Sequence, residues 1–222
     1  MPTLLRIDAS AQLEERSLTR HLTGIFTGTF LANAPKSLVI TRDVGLNPIP
    51  AIDQEFIQAA FTPLEEREAW MNERLALSDE LIEEVEAADI LVMGAPMYNY
   101  GIPTALKGWI DQVARIGKTF SFDLARGDTP IEPILSGKRL VVLSARGEFG
   151  FGQGGVRAHL NALDLGLAAC AHYFGVAPGH VETIAIEYQE FKDDRHRASV
   201  VTAEARTRDL ATQLAITVAQ AV

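Results

Sequence analysis

A chain of 222 residues, 47% of them hydrophobic, is long enough to bury one sizeable core and short enough that a single domain over residues 1–222 is expected. Its formal net charge of −9, with no basic stripe, argues against nucleic acid as a partner, because neutralising phosphates takes clustered Lys and Arg. The single cysteine, Cys170, excludes an intrachain disulfide framework and a Cys-rich metal site, and no uncharged apolar run reaches the ~18 residues of a membrane span.

In chain order, the apolar run Leu4 to Asp8 reads as a first strand. The start, Met1 to Asp8, lacks a basic segment leading into a long apolar one, so a signal peptide is not expected and the cytoplasm is the expected setting. Ser17 to Ala32 reads as a helix and Ser37 to Arg42 as a second strand. After the loop Asn47-Pro48-Ile49-Pro50 comes a long polar helix, roughly Thr62 to Ala87; its Trp70 and Met71, if exposed, mark a subunit contact. Asp89 to Ala95 is almost continuously apolar, as suits a central strand buried on both faces. A helix from about Pro103 to Arg115 follows, with proline where its missing N–H costs little. Arg139 to Ser144 is a fourth strand, Val156 to Phe174 a helix, His180 to Glu187 a fifth strand, and Thr202 to Ala219 a final amphipathic helix. The least regular stretch, Ser121 to Pro133, reads as an insertion loop on the site face. Five strands joined by helical crossovers predict an α/β protein: three layers around a doubly wound five-stranded parallel sheet.

In such a sheet, ligands bind beyond the carboxyl ends of the strands, where the strand order reverses. The loop after the first strand carries hydroxyls at Ser10, Ser17 and Thr19, with Ser17 placed to start a helix and Arg16 beside it. Free N–H groups at a helix start, hydroxyls and a cation suit a phosphate monoester; an N-cap with no ligand is the plainer reading of Ser17 alone. The loop after the third strand, Pro96-Met97-Tyr98-Asn99-Tyr100-Gly101-Ile102-Pro103, sets an amide, two aromatics and a methionine between two prolines. It can offer polar backbone groups to the edge of a planar heteroaromatic ring and apolar atoms to its face. Gly101 can take φ > 0 there, or let the backbone approach a ring closely. The loop after the fourth strand, Ser144-Ala145-Arg146-Gly147, leads into a Gly-rich run, Gly150 to Gly155, whose amides either face a ring edge or belong to a mobile connection.

Taken together, Ala95 to Pro103 with Leu106, Lys107 and Asp111, the stretch Leu77-Ser78-Asp79-Glu80-Leu81-Ile82, Asn47 to Pro50 and Gly117-Lys118-Thr119-Phe120 resemble the bacterial FMN-dependent NADH azoreductases, in order and along nearly the whole chain. The resemblance implies a flavodoxin-like fold, a homodimer, and FMN bound near the dimer interface. It implies that Ser10 and the stretch Arg16, Ser17, Leu18 hold the FMN phosphate, that Met97, Tyr98, Asn99 and Tyr100 contact the isoalloxazine, and that Ser144, Ala145, Arg146 and Gly147 lie at its other edge. Thr19 stands where that family often has a serine, and Ser144-Ala145-Arg146-Gly147-Glu148 replaces its usual Ser-Arg-Gly-Gly.

With FMN bound, the flavin carries the chemistry and the protein orients it. NADH or NADPH passes hydride to flavin N5, and a quinone or azo compound then takes the two electrons in the same place, which predicts ping-pong kinetics. Asn99, Tyr98 and Phe120 are the positioning candidates, and no protein acid or base is required. The alternative is a flavodoxin-like electron-transfer protein without a dedicated small-molecule substrate. Other motifs fail on spacing. Gly150 to Gly155 lies too late for a dinucleotide turn, and Gln112 occupies the position of the first glycine of a triphosphate loop before Gly117-Lys118-Thr119. The five histidines have no metal spacing, no G-x-S-x-G elbow exists, and Cys170 lies in a small-residue helix stretch.

Overall fold

The computed structural model describes residues 1–220. The elements run β1 (Thr3–Asp8), α1 (Leu18–Asn33), β2 (Leu38–Asp43), α2 (Gln54–Phe61), α3 (Ala69–Ala87), β3 (Ile90–Pro96), α4 (Thr104–Val113), β4 (Phe120–Phe122), β5 (Ile131–Pro133), β6 (Lys138–Ala145), α5 (Ala162–Cys170), β7 (Val176–Ile186) and α6 (Asp194–Gln220). Five strands form a parallel sheet in the order β2-β1-β3-β6-β7, while β4 and β5 pair antiparallel as a hairpin. The chain runs outward from β1 to β2, then crosses back over β1 to β3. The loops after β1 and β3 therefore part, and a crevice opens between them.

The strand alternation divides the core in two. Leu5, Ile7, Leu91 and Met93 face Leu81, Val85, Leu106 and Trp109 of α3 and α4; Leu4, Ile90, Val92 and Leu143 face Leu22, Phe26, Ala211 and Leu214 of α1 and α6. Every residue of β3 is buried, which explains its unbroken apolar run. Each such Leu or Phe contributes on the order of 1.5–3 kcal/mol.

Three expected elements differ in kind, and two start earlier than expected, β7 at Val176 and α6 at Asp194. The helix over Thr62 to Ala87 is broken: α2 ends at Phe61, Leu64–Glu66 makes one 3-10 turn, and α3 starts only at Ala69. Pro63 is the cause, since proline drives the preceding residue out of the helical region, and Thr62 is extended at ψ 128°. Helix α2 is only eight residues long; it is started by Asp53, which accepts from the Phe56 amide at 2.8 Å, and it packs Phe56 and Ala59 on Met71 and Leu75. Met71 is thus buried in the chain's own core and Trp70 lies against it, so neither is the exposed subunit contact that was conditionally expected.

The expected helix over Val156 to Phe174 is α5 flanked by 3-10 turns at Ala158–Leu160 and Ala171–Phe174. Ser121 to Pro133 is largely the β4–β5 hairpin, closed by the Asp123 amide on the Pro130 carbonyl at 2.9 Å.

Candidate functional site

A cavity of about 290 Å³ opens at the carboxyl ends of the strands, lined by Ser10, Gln12, Arg16, Ser17, Leu18, Thr19, Pro96, Met97, Tyr98, Ala145, Gly147, Gln189 and Glu190. Its first wall is the loop from β1 to α1. Ser17 caps α1, its Oγ accepting from the Arg20 amide at 3.2 Å and lying 3.2 Å from Thr19 Oγ1. The amides of Leu18 and Thr19 precede the helical ladder and are left for a ligand. Arg16 is exposed and makes no ion pair among the described residues.

This wall is held from behind by Arg20, which the sequence reading missed. Its buried guanidinium donates to the carbonyls of Ser10 (2.7 Å) and Gln12 (2.8 Å) and forks onto Asp43 (2.7 and 2.8 Å). The hydrogen bond that Arg20 donates to Asp43 raises the Arg20 pKa against the opposing effect of burial. Burial on its own would raise the Asp43 carboxyl, but the bonds from Arg20 and the Leu46 amide hold it below its ordinary value. A cation in a helix's first turn works against the helix dipole, and that misfit is the signal by which Arg20 could have been found. Gly45 closes the same loop: a Cβ there would lie 2.1 Å from the Ser10 carbonyl oxygen, so only glycine fits.

The second wall is the loop after β3. The Gly101 amide donates to the Tyr98 carbonyl at 3.0 Å, and the two residues between, Asn99 (φ 48°) and Tyr100 (φ 66°), are both left-handed. This is the geometry of a type I′ turn, for which asparagine is a favoured first central residue. The positive φ therefore falls on Asn99 and Tyr100 and not on Gly101, which removes the first of the two uses expected of that glycine. Tyr98 Oη accepts from the Ala11 amide at 3.3 Å, and Tyr100 Oη donates to Glu148 at 3.2 Å, so the two aromatics tie this loop to both neighbours. Asn99 and Tyr100 stand exposed at the rim, outside the cavity lining.

The third wall is the end of β6. Ala145 and Gly147 line the cavity. Ser144 is fully buried outside the cavity lining, and its Oγ has no hydrogen-bond partner among the described residues. Arg146 is not free for a ligand: its guanidinium forks onto Asp164 at 2.7 and 2.8 Å and lies 3.7 Å from Glu187. The Gly-rich run is ordered, with the Gly150 and Phe151 amides held by Glu187 at 3.0 and 3.3 Å. Those two amides are therefore unavailable to a ring edge. Phe120 does not reach the cavity; its ring packs on Tyr173 with centroids 5.1 Å apart. Gln12, Gln189 and Glu190 line it without having been anticipated, since no local motif marks them.

The parts fit FMN. Hydroxyls, free first-turn amides and Arg16 suit a phosphate monoester, and the backbone at Gly147 suits a polar ring edge. Beyond Tyr98 a more apolar groove of about 590 Å³, lined among others by Ile49, Ile102, Pro103 and Ala105, continues the crevice.

These features, a doubly wound sheet with an anion-binding loop at its switch point, are those of a flavodoxin-like protein. A family profile described as "Flavodoxin-like fold" matches residues 2–210. An FMN-dependent NADH:quinone oxidoreductase 2 of Idiomarina loihiensis is 46% identical over 97% of this chain and 92% of its own length. Another of the same name, from Colwellia psychrerythraea, is 47% identical over 96% of this chain and 100% of its own. The crystal structure of an azoreductase from Bacillus anthracis superposes with a TM-score of 0.83 at 21% identity, covering 96% of this chain and 100% of the other, a likeness of fold. The chain belongs to the flavodoxin-like family, among relatives named FMN-dependent NADH:quinone oxidoreductases.

Proposed function

We propose that this protein is an FMN-dependent NAD(P)H oxidoreductase that reduces quinones, and azo compounds as a second acceptor class, by ping-pong two-electron transfer. The observation that carries this reading is the cavity that joins the anion-binding start of α1 to the Tyr98 and Gly147 walls at the switch point. The names of the close relatives support it.

FMN, when bound, would supply the redox chemistry, the two-electron exchange between a reduced nicotinamide and the acceptor. The chain's own residues bind and orient. Arg16 and the amides of Leu18 and Thr19 hold the phosphate, with Ser10, Ser17 and Thr19 as hydroxyl partners. Met97 and Tyr98 flank the ring, and Asn99, at the rim, positions its polar edge. The Gly147 backbone meets the opposite edge, with Ser144 buried behind it. The Arg146 guanidinium is taken up by Asp164 and links the end of β6 to α5, so it does not meet the ring. Phe120 takes no part within one subunit.

The same reading proposes a homodimer, joined over the apolar groove beyond Tyr98 and located in the cytoplasm. Among the described residues no helix is long and apolar enough to cross a membrane.

The decisive measurement is the absorbance and extracted chromophore of the purified protein, followed by NADH oxidation with and without a quinone. FMN and quinone-dependent turnover with parallel double-reciprocal lines are expected. Recovery of FAD, or of no flavin after reconstitution, sinks the reading; intersecting lines remove the ping-pong order alone. Sedimentation at nanomolar concentration tests the dimer, which fails if a fully active monomer is found.

A further inference from the structure

The segment after β7 supplies the part of the cavity wall that no motif marks. Three backbone bonds stitch it to the end of β6: Tyr188 N–H to the Glu148 carbonyl (3.0 Å), Gln189 N–H to that of Arg146 (3.2 Å) and Glu190 N–H to that of Gly147 (3.0 Å). To make them, Tyr188 adopts φ 64°, a left-handed conformation that a tyrosine rarely takes. A stack offsets that strain. Arg157 lies over Phe149 (4.6 Å), Phe149 stacks on Tyr188 (4.5 Å, 12° between planes), and Arg195 covers Tyr188 (4.9 Å) and Phe191 (4.7 Å). Cations close both ends of the aromatic pile, so it acts as a clasp for this loop and has no open face to offer a partner.

The clasp fixes the backbone of Glu190, whose side chain is exposed. Its Cγ lies only 2.9 Å from where a Cβ on Gly147 would be, so the side chain rests directly on the cavity floor. Glu190 and Arg16 are both exposed on the cavity, and neither makes an ion pair or side-chain hydrogen bond among the described residues. The strand order β2-β1-β3-β6-β7 puts these two unpartnered charges at opposite ends of one cavity, the cation at the loop after β1 and the carboxylate beside β6 and β7. In FMN the phosphate and the ring lie at opposite ends of the ribityl chain. A phosphate on Arg16 and the start of α1 therefore sends the ring toward Glu190.

We propose that Glu190 is an electrostatic positioning residue that lowers the reduction potential of the bound flavin. The inference rests on the FMN reading above. Hydride uptake adds two electrons and one negative charge to the ring; a carboxylate held nearby, in a crevice from which the ring displaces water, disfavours that charge. The protein thereby becomes the stronger reductant toward its acceptor.

The test is the two-electron midpoint potential of the FMN-loaded protein, equilibrated against reference dyes, for the parent, Glu190→Gln and Glu190→Asp. Glu190→Gln keeps the size and an acceptor oxygen but removes the charge. It is expected to raise the preference for reduced over oxidised FMN about tenfold, equivalent to about 30 mV for two electrons. Oxidised FMN should be retained within about threefold by fluorescence titration, a factor worth under about 1 kcal/mol. Glu190→Asp keeps the charge and should stay near the parent. A potential unchanged in Glu190→Gln, with FMN bound, overturns the inference and leaves the FMN reading intact; equal shifts in Gln and Asp variants assign the effect to packing and overturn it too. A parent that takes up no FMN overturns both.

Discussion

Arg20 and Arg16 are four residues apart yet do opposite work. Arg20 is spent on the protein, holding the carbonyls of Ser10 and Gln12 and the carboxylate of Asp43. Arg16 is unspent and faces the cavity. Arg16→Ala should raise the dissociation constant for FMN about tenfold, or about 1.4 kcal/mol, while leaving riboflavin, which lacks the phosphate, unaffected. Fluorescence titration of the two flavins checks this, and an equal loss for both would show that Arg16 does not read the phosphate. Asp43 makes the loop acid-sensitive. Its carboxyl is held below the unfolded value of about 3.9, so its stabilisation is fully present above that pH and is lost as pH falls through the folded value. FMN release should therefore rise steeply below about pH 4. In Asp43→Asn that acid step should vanish, with weaker binding at all pH values; a step of unchanged size would assign it to another group.

At the scale of elements, the turn after β3 is the most exacting piece of local structure. Asn99 and Tyr100 hold left-handed φ, whereas a Cβ at Gly101 would meet nothing closer than 3.9 Å. Gly101→Ala should consequently be nearly neutral. Asn99→Val places a β-branched residue in the left-handed region at a cost of about 1–3 kcal/mol. Thermal unfolding of the two variants, with Asn99→Gly as a control that keeps the turn, measures this. A stable Asn99→Val together with an unstable Gly101→Ala would return the strained position to the glycine. The α3–α4 contact is a second tie. Arg115, buried at 1% exposure, reaches Ser78 Oγ at 3.0 Å and pairs with Asp79, while Ser78 Oγ donates to the Gln112 carbonyl at 2.6 Å. The stretch Leu77 to Ile82, which entered the sequence reading as part of a resemblance, thus has a structural use in locking two helices beneath the site.

At the scale of the whole molecule, one core layer supports the crevice. Trp109 is fully buried under the sheet and meets Phe174 with centroids 5.2 Å apart. Trp109→Ala should destabilise the chain by about 3–5 kcal/mol through lost burial and the cavity left behind. Denaturant unfolding checks the size. A loss below about 1 kcal/mol would mean that the layer can collapse to fill the gap.

The layered α/β order, the central strand and the loops at the carboxyl ends were legible in the sequence, because apolar periodicity and Pro/Gly punctuation are local properties. Residues Ser10 to Thr19 and Pro96 to Tyr98 could be nominated for the same reason: they follow strands, and topology sends such loops to the switch point. The break at Pro63 was also written locally, but the acidic periodicity around it masked the signal. Only the tertiary structure decided the use of each charge. Arg16 and Arg146 look alike in sequence, yet one is exposed in the cavity and the other is buried against Asp164 from α5. Glu190 enters the cavity because β7 lies beside β6, a neighbour relation set by the packing of two helical layers and not by any spacing along the chain. Burial and partner choice depend on residues far apart in sequence, so the pattern around a side chain indicated where it would be, and the fold determined what it was free to touch.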